Sequence, residues 1–485
     1  MYIKCDKLQN ITPCQFYESR ELYLDGATKI LSLSAEARTL ESDVLSNEIK
    51  VKYLLTIKAI YQTEDGIVDV KEDSVELSNS IRGGANLQGE VLIDTEVIGI
   101  EHHGTSKVKV RVMLEQKGVA VVREGFLAQD DDELVLKKHS LKANAITSLV
   151  SVESLITNTV SSNKKLGKIL TSCANITIKN VSQATDLCEI NGEVTVYINH
   201  LNAGEISGEI FTFPFNLESA QEGVSENSQI DVLVKPLSLS FTTTETDDGT
   251  DVEVELLASV SGYYIDSEEV EYPVDAYSKT KELALKKSDV VICDEACNVR
   301  TEERFSEVVP FENITNAEEI FCIGAPWVGA SNVSLSPNAI VQGIVCTEMV
   351  LKLGDGECDR VIAEVPFSIA LRDKVECTGA LALNVKVVSL SARLRYGSAV
   401  EISGVLQISL KGQTERVVSY LESVDELGER LKNDSVISVY LVGEGESLFD
   451  CAKALRSDED ELLALNPDLT LPLKAGDKVL LYHPL

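Results

Sequence analysis

The sequence predicts a mainly β chain: three tandem antiparallel, sandwich-like domains followed by a small α+β tail. Three observations carry this. One succession of segments runs three times through the 485 residues, which marks a repeat architecture. The last strand of the first two successions alternates apolar and charged residues with period two, the mark of a sheet with one buried face. Near the C-terminus the period changes to helical, with cap-forming residues ahead of each apolar stripe.

Each unit opens on a lead: KILSLSAEARTL from Lys29, KILTSCANITIK from Lys168 and FCIGAPWVGASNVSL from Phe321. A long apolar strand follows, from Val51, Gly192 and Gly343, and then a shorter segment holding Val75 and Leu77, Pro214-Phe215, or Pro366-Phe367. Two strands around a turn close each unit. Val108, Val110 and Val112 alternate there with Lys107, Lys109 and Arg111, and Val252, Val254 and Leu256 alternate with Asp251, Glu253 and Glu255. Inward residues keep their type while outward ones reverse charge, so KVKVRV reads as a solvated strand face and not as a nucleic-acid stripe. The turns HHGT and DDGT suit hairpins. The domains are placed at 1–135 (the most divergent), 136–275 and 276–422.

Charged stretches, Gln129 to Lys142 and Asp266 to Asp289, read as connections between the units. A linker at 423–437 reads as helical, with Ser423 and Glu426 as a capping box. The tail then occupies 438–485. Ser447 with Asp450, and Ser457 with Asp460, read as helix caps, and Asn466-Pro467 stops the second helix.

Composition narrows the function. With 44 basic and 78 acidic residues the net charge is −34, which repels nucleic acid and anionic membrane surfaces. Apolar residues make up 44% of the chain, enough for packed cores, so the acidity belongs to a globular surface. The N-terminus MYIKCDKLQNITPCQFYESR has no apolar signal region and no long apolar run occurs, so neither ordinary secretion nor a membrane span is expected. Eleven cysteines are dispersed without a CxxC spacing, and are expected to be reduced thiols without disulfide or metal. His102-His103 falls at a hairpin tip, Cys293 and Cys297 have the wrong separation for a zinc knuckle, and Trp327 reads as a packing residue. No zinc-protease motif, phosphate loop or nucleophile elbow is present. The chain reads as non-enzymatic, without cofactor.

Two resemblances follow from these residues. The tail resembles a LysM domain: Tyr440 and Val442 fit its first strand, Gly445, Glu446, Ser447 and Leu448 its turn, and Cys451-Ala452 its first helix. Asn466 behind Leu462 and Leu463 fits its L-x-x-N spacing, and Leu473, Gly476, Val479 and Leu480 its returning strand. That resemblance implies a βααβ module of a kind that holds N-acetylglucosamine polymers. The order of three such units with one terminal LysM, the repeated K-I-L lead, the P-F segments and Val274 to Ser278 resemble the SPOCS (spore-coat-associated) proteins of clostridia. This implies a scaffold of spore coat assembly, in the mother-cell cytoplasm at the forespore surface. It would bind a coat basement protein like stage IV sporulation protein A, and other coat proteins. The alternative is a wall protein that binds peptidoglycan.

For either ligand the expected site is two tail loops: Gly445, Glu446, Ser447, Leu448 and Phe449 on one side, Asn466, Pro467, Asp468 and Leu469 on the other. Ser447 and Leu448 are expected to be structural. Phe449 and Leu469, lacking an inward register, are expected to be exposed anchors for a protein, and Asn466 a contact for a sugar.

Overall fold

Period-two alternation is realised as burial. In the strand from Lys107, Val108, Val110, Val112 and Leu114 are fully buried between exposed Lys107, Lys109 and Arg111. The structure, a computed structural model, describes residues 1–45, 48–82, 90–131, 133–202, 204–336, 338–372, 375–379, 381–429 and 436–482, with side chains at all of these except 202 and 294–297.

The first unit holds β1 (Tyr2–Lys4), β2 (Lys7–Tyr23), β3 (Ala27–Leu45), β4 (Glu48–Thr63), β5 (Val68–Arg82), β6 (Val91–His103), β7 (Lys107–Val122) and β8 (Gly125–Leu127). Its antiparallel sheets β3-β4-β5 and β2-β7-β6 face each other across Tyr53, Leu55 and Ile57 on one side and Val108, Val110 and Val112 on the other. The second unit holds β9 (Val135–Ser148), β10 (Val152–Ser162), β11 (Ile169–Ala184), β12 (Leu187–Asn202), β13 (Glu205–Ala220), β14 (Gln229–Thr246) and β15 (Gly249–Tyr277). Here β11-β12-β13 faces β10-β15-β14, and β9 continues the pairing along β15. The third holds β16 (Lys281–Pro310), β17 (Ala317–Ile323), β18 (Trp327–Ser334), β19 (Ile340–Leu353), β20 (Cys358–Ala370), β21 (Leu381–Arg395) and β22 (Ala399–Glu429). Its sheets are β16-β22-β21 and a second in which β17, β18 and β20 all pair with β19.

The three units are built alike down to their irregularities. Each lead strand carries a β-bulge at the same place, at Leu31, Leu170 and Phe321, and a second at Leu40, Lys179 and Gly329. A third set falls at Ile98, Leu237 and Val388. Bulges bend a strand and re-aim side chains. Leu31, Leu170 and the neighbour of Phe321, Cys322, meet in one buried cluster with Ile60, Ile206 and Val350, two residues from each unit. The K-I-L lead is therefore the seam of the assembly. Each unit also reaches the other two: Arg38 donates to Leu237 O at 3.1 Å, Thr195 to Val388 O at 3.5 Å, and Arg360 to Leu33 O at 3.3 Å. First touches second, second touches third, third touches first, and the ring closes.

The glycine and P-F pair also acquire a reason. Gly192 lies opposite Phe215, and Gly343 opposite Phe367. A Cβ on Gly192 would fall 2.2 Å from Thr177 O and on Gly343 2.4 Å from Ala330 O, and each would fall 2.6 Å from its phenylalanine ring, so the bare backbone lets a carbonyl on one side and a ring on the other close in. In the first unit the same place holds Tyr53, opposite Leu77 and fully buried. There the ring comes from the central strand itself, which explains the missing motif. Gly192→Val is expected to destabilise by about 1–3 kcal/mol through overpacking, read as a lower denaturation midpoint, with Gly343→Val behaving alike.

Two sequence expectations are corrected here. The charged connections are strands: β9 starts at Val135, and β15 and β16 together run from Gly249 to Pro310 with a break of only three residues. The linker is no helix, since Ser423 and Glu426 pair with Lys286 and Leu283 on β16, and its residues 430–435 lie outside those described. A ladder with a neighbouring strand satisfies every other backbone group at once, and it overrides a local capping signal. Paired as β1-β8, β9-β15 and β16-β22, these strands form a stem of three ribbons. Ile3, Cys5, Phe126, Leu141, Tyr272, Ile292 and Val418 bury their side chains in its centre. Among the described residues no helix is long and apolar enough to cross a membrane.

Candidate functional site at the C-terminal tail

The tail runs β23 (Ile437–Leu441), α1 (Leu448–Leu455), α2 (Glu459–Leu465) and β24 (Lys478–Tyr482). Val442, Leu448, Cys451, Ala452, Leu462, Val479 and Leu481 form its core. Helix α1 starts as expected: the Asp450 carboxylate accepts from Ser447 N at 2.8 Å and Ser447 Oγ at 2.6 Å. Helix α2 starts one residue later than expected, capped by Asp458, while buried Ser457 donates to Glu461.

Of the nine expected site residues, four are committed to structure. The Asn466 amide is buried and bonded to the backbone: it donates both N–H groups, to Leu462 O at 2.8 Å and Leu480 O at 2.7 Å, and accepts from Leu480 N at 2.8 Å. It clamps the end of α2 to β24 and has no N–H left to donate to a sugar. Glu446 closes the first turn, accepting from Gly443 N at 2.7 Å and Tyr440 Oη at 2.9 Å. Ser447 caps α1, and Leu448 is core. Gly445 takes a positive φ of 78° at the open turn, where a side chain would be strained. Pro467 and Asp468 are exposed, and Leu469 is half-buried against the tail core.

Phe449 is not the exposed anchor its register suggested. It is 5% exposed, because the stem covers it. Tyr277, the last residue of β15, packs its ring edge against Phe449 with centroids 5.2 Å apart, and donates its hydroxyl to Ser457 O at 2.6 Å. Lys137 on β9 lies 5.5 Å from the Phe449 ring centre and reaches Ser447 Oγ at 3.2 Å and Asp450 at 3.3 Å. Lys453 meets Asp275 at 2.7 Å, and Lys279 meets Asp458. Burial, then the carboxylates of Asp458 and Glu459, push the Tyr277 phenol up to about 12. It stays a neutral donor through the physiological range.

Burial disfavours the charge on Asp450, but the bonds from Ser447 and the ammonium of Lys137 outweigh it and hold its pKa below the usual carboxylate range. A carboxylate with a depressed folded-state pKa contributes stability above its unfolded value and loses it on protonation. The joint between tail and stem is therefore expected to hold at pH 7 and to loosen only as pH falls through about 4 and below. Hydrogen exchange of the α1 amides against pH measures this, and loosening already at pH 6 would contradict it.

The opposite face of the tail is open. Ile437, Val439 and Leu441 on β23 are 51, 58 and 62% exposed, and Tyr482 on β24 is 47% exposed. Ile437 lies opposite Tyr482, and Val439 opposite half-buried Leu480. Tyr440 and Val442, which fit the first strand of the LysM pattern, are inward residues packed in or against the tail core. The missed signal was local: ISVYL and VLLY place apolar residues on both faces of a two-stranded sheet that has helices on one side only.

Chemistry elsewhere is sparse. Cys5, Cys346 and Cys451 are buried thiols pushed up to about 11, mainly by desolvation, the opposite of an activated nucleophile. Cys14, Cys173, Cys188, Cys322 and Cys358 are also free thiols. Trp327 is half-buried, His139 stacks edge-on against Tyr272, and the side chain of Cys297 and the whole of His483 lie outside the described residues. Among those described, no group of three His, Cys, Asp or Glu could hold a metal. Comparison with known proteins finds no matching family model, no matching curated protein and no matching solved structure.

Proposed function

We propose that this chain is a non-enzymatic scaffold whose LysM-like tail binds a protein, while its three SPOCS-like units form a rigid body that positions the tail. The observation that carries the reading is the open apolar face of Ile437, Val439, Leu441 and Tyr482. A contiguous exposed apolar patch beside polar residues is a protein-docking feature. A sugar, by contrast, needs unspent hydrogen-bonding groups, and Asn466, Glu446 and Ser447 are already engaged within the protein. The resemblance set out above names the partner class: a coat basement-layer protein like stage IV sporulation protein A.

The test is parallel binding of the full chain to stage IV sporulation protein A and to insoluble peptidoglycan. Saturable binding to the protein with none to the glycan is expected. The reverse pattern would replace this reading with that of a wall-glycan binder.

A further inference from the structure

The helix side of the tail is covered by the chain's own stem. Phe449 forms its centre, with Asp450 on one side and Asp458 on the other. The stem presents to it an aromatic ring between two lysines: Tyr277 against Phe449, Lys137 on Asp450 and Lys279 on Asp458. A third contact of opposite sense, Lys453 to Asp275, completes the match.

Two features give this contact the character of an exchangeable interface. Its charged groups stay partly exposed, at 30% for both Lys137 and Asp450 and 45 and 47% for Lys279 and Asp458. Exposed pairs of this kind are weak and salt-screened. Its apolar part is small on the stem side: Tyr277 and half-buried Val135 are the two stem residues in the tail's core cluster.

We propose that the stem is an intramolecular competitor for the tail, and that the partner it competes with presents an aromatic side chain flanked by lysines. The proposal rests on the protein-binding reading given above. Such a partner would make first contact on the open sheet face and then take the helix face from the stem. The acidic pair around Phe449 fits that basic partner by the same complementarity that now fits the stem.

The experiment uses the full chain with Lys137→Glu and Asp275→Lys, two stem substitutions at cross-strand neighbours of β9 and β15 that change no residue of the tail itself. Exchange of the α1 amides is expected to quicken at least tenfold while that of β4, β12 and β19 is unchanged. Affinity for the basement-layer protein of the binding assay is expected to rise at least tenfold. Adding Lys453→Glu, which restores one matched pair with the altered stem, should move both values back toward wild type. Unchanged α1 exchange would overturn the proposal, because the joint would not depend on these charges. Faster exchange with equal or weaker affinity would also overturn it, while leaving the scaffold reading in place. If neither wild type nor variant binds, the scaffold reading falls, and this proposal falls with it.

Discussion

Glu348→Ala is expected to lower the stability of the body by about 3–5 kcal/mol, among the largest effects of any single substitution in the chain. Glu348 sits on β19 and is 5% exposed. Its carboxylate accepts from Arg360 at 3.1 Å and from the backbone N of Leu33 at 3.1 Å, so one side chain joins the third unit to the lead strand of the first. Removing it strands a guanidinium whose side chain is only 12% exposed, and it orphans a buried backbone donor. Glu348→Gln keeps an acceptor for Leu33 and should lose less. The double change Glu348→Leu with Arg360→Met removes both charges and should cost less than Glu348→Ala, since the desolvation cost of a buried pair goes with the pair, but about 1–3 kcal/mol should remain because Leu33 N still loses its acceptor. Denaturation midpoints for the three variants give the comparison. A cost under about 1 kcal/mol for Glu348→Ala would show the pair to be hydrated and the seam to be held by its apolar cluster alone.

The same seam shows what could be read from the chain and what could not. Alternation such as Val108, Val110 and Val112 against charged neighbours is a local signal, and it becomes burial directly. The K-I-L leads were visible as a repeat, but their meaning was not. A bulge at Leu31 or Leu170 has no local signature, and the residues that cover it lie in the other two units. The stem failed for a related reason. Stretches such as Lys137 to Lys142 are charged because each ribbon buries one face only, and composition alone reads such a strand as a loop. In the tail, the Ser447 cap and the stop at Asn466-Pro467 depend on neighbours in sequence and were legible. The cover over Phe449 comes from Tyr277, 172 positions earlier in the chain, and no pattern within the tail could announce it.

Val439→Glu with Leu441→Glu is expected to weaken binding of the basement-layer protein at least a hundredfold. Each side chain lies more than half exposed on the outer face of β23, and anchors of this kind carry on the order of 2 kcal/mol apiece in protein interfaces. Because neither side chain packs inward, the tail should remain folded, with α1 amide exchange as in wild type. Phe449→Ala supplies the contrast. Its ring is buried between the tail core and Tyr277, and truncating a buried phenylalanine costs about 3–5 kcal/mol, a large fraction of what a module this small can hold. It should therefore speed α1 exchange together with any change in binding. The two variants separate recognition from integrity: the first should lose the partner with its fold intact, and the second should disturb the fold whatever happens to the partner. Full binding by the β23 variant would remove the open sheet face from the site and leave the helix face, once freed from the stem, as the surface that recognises the partner.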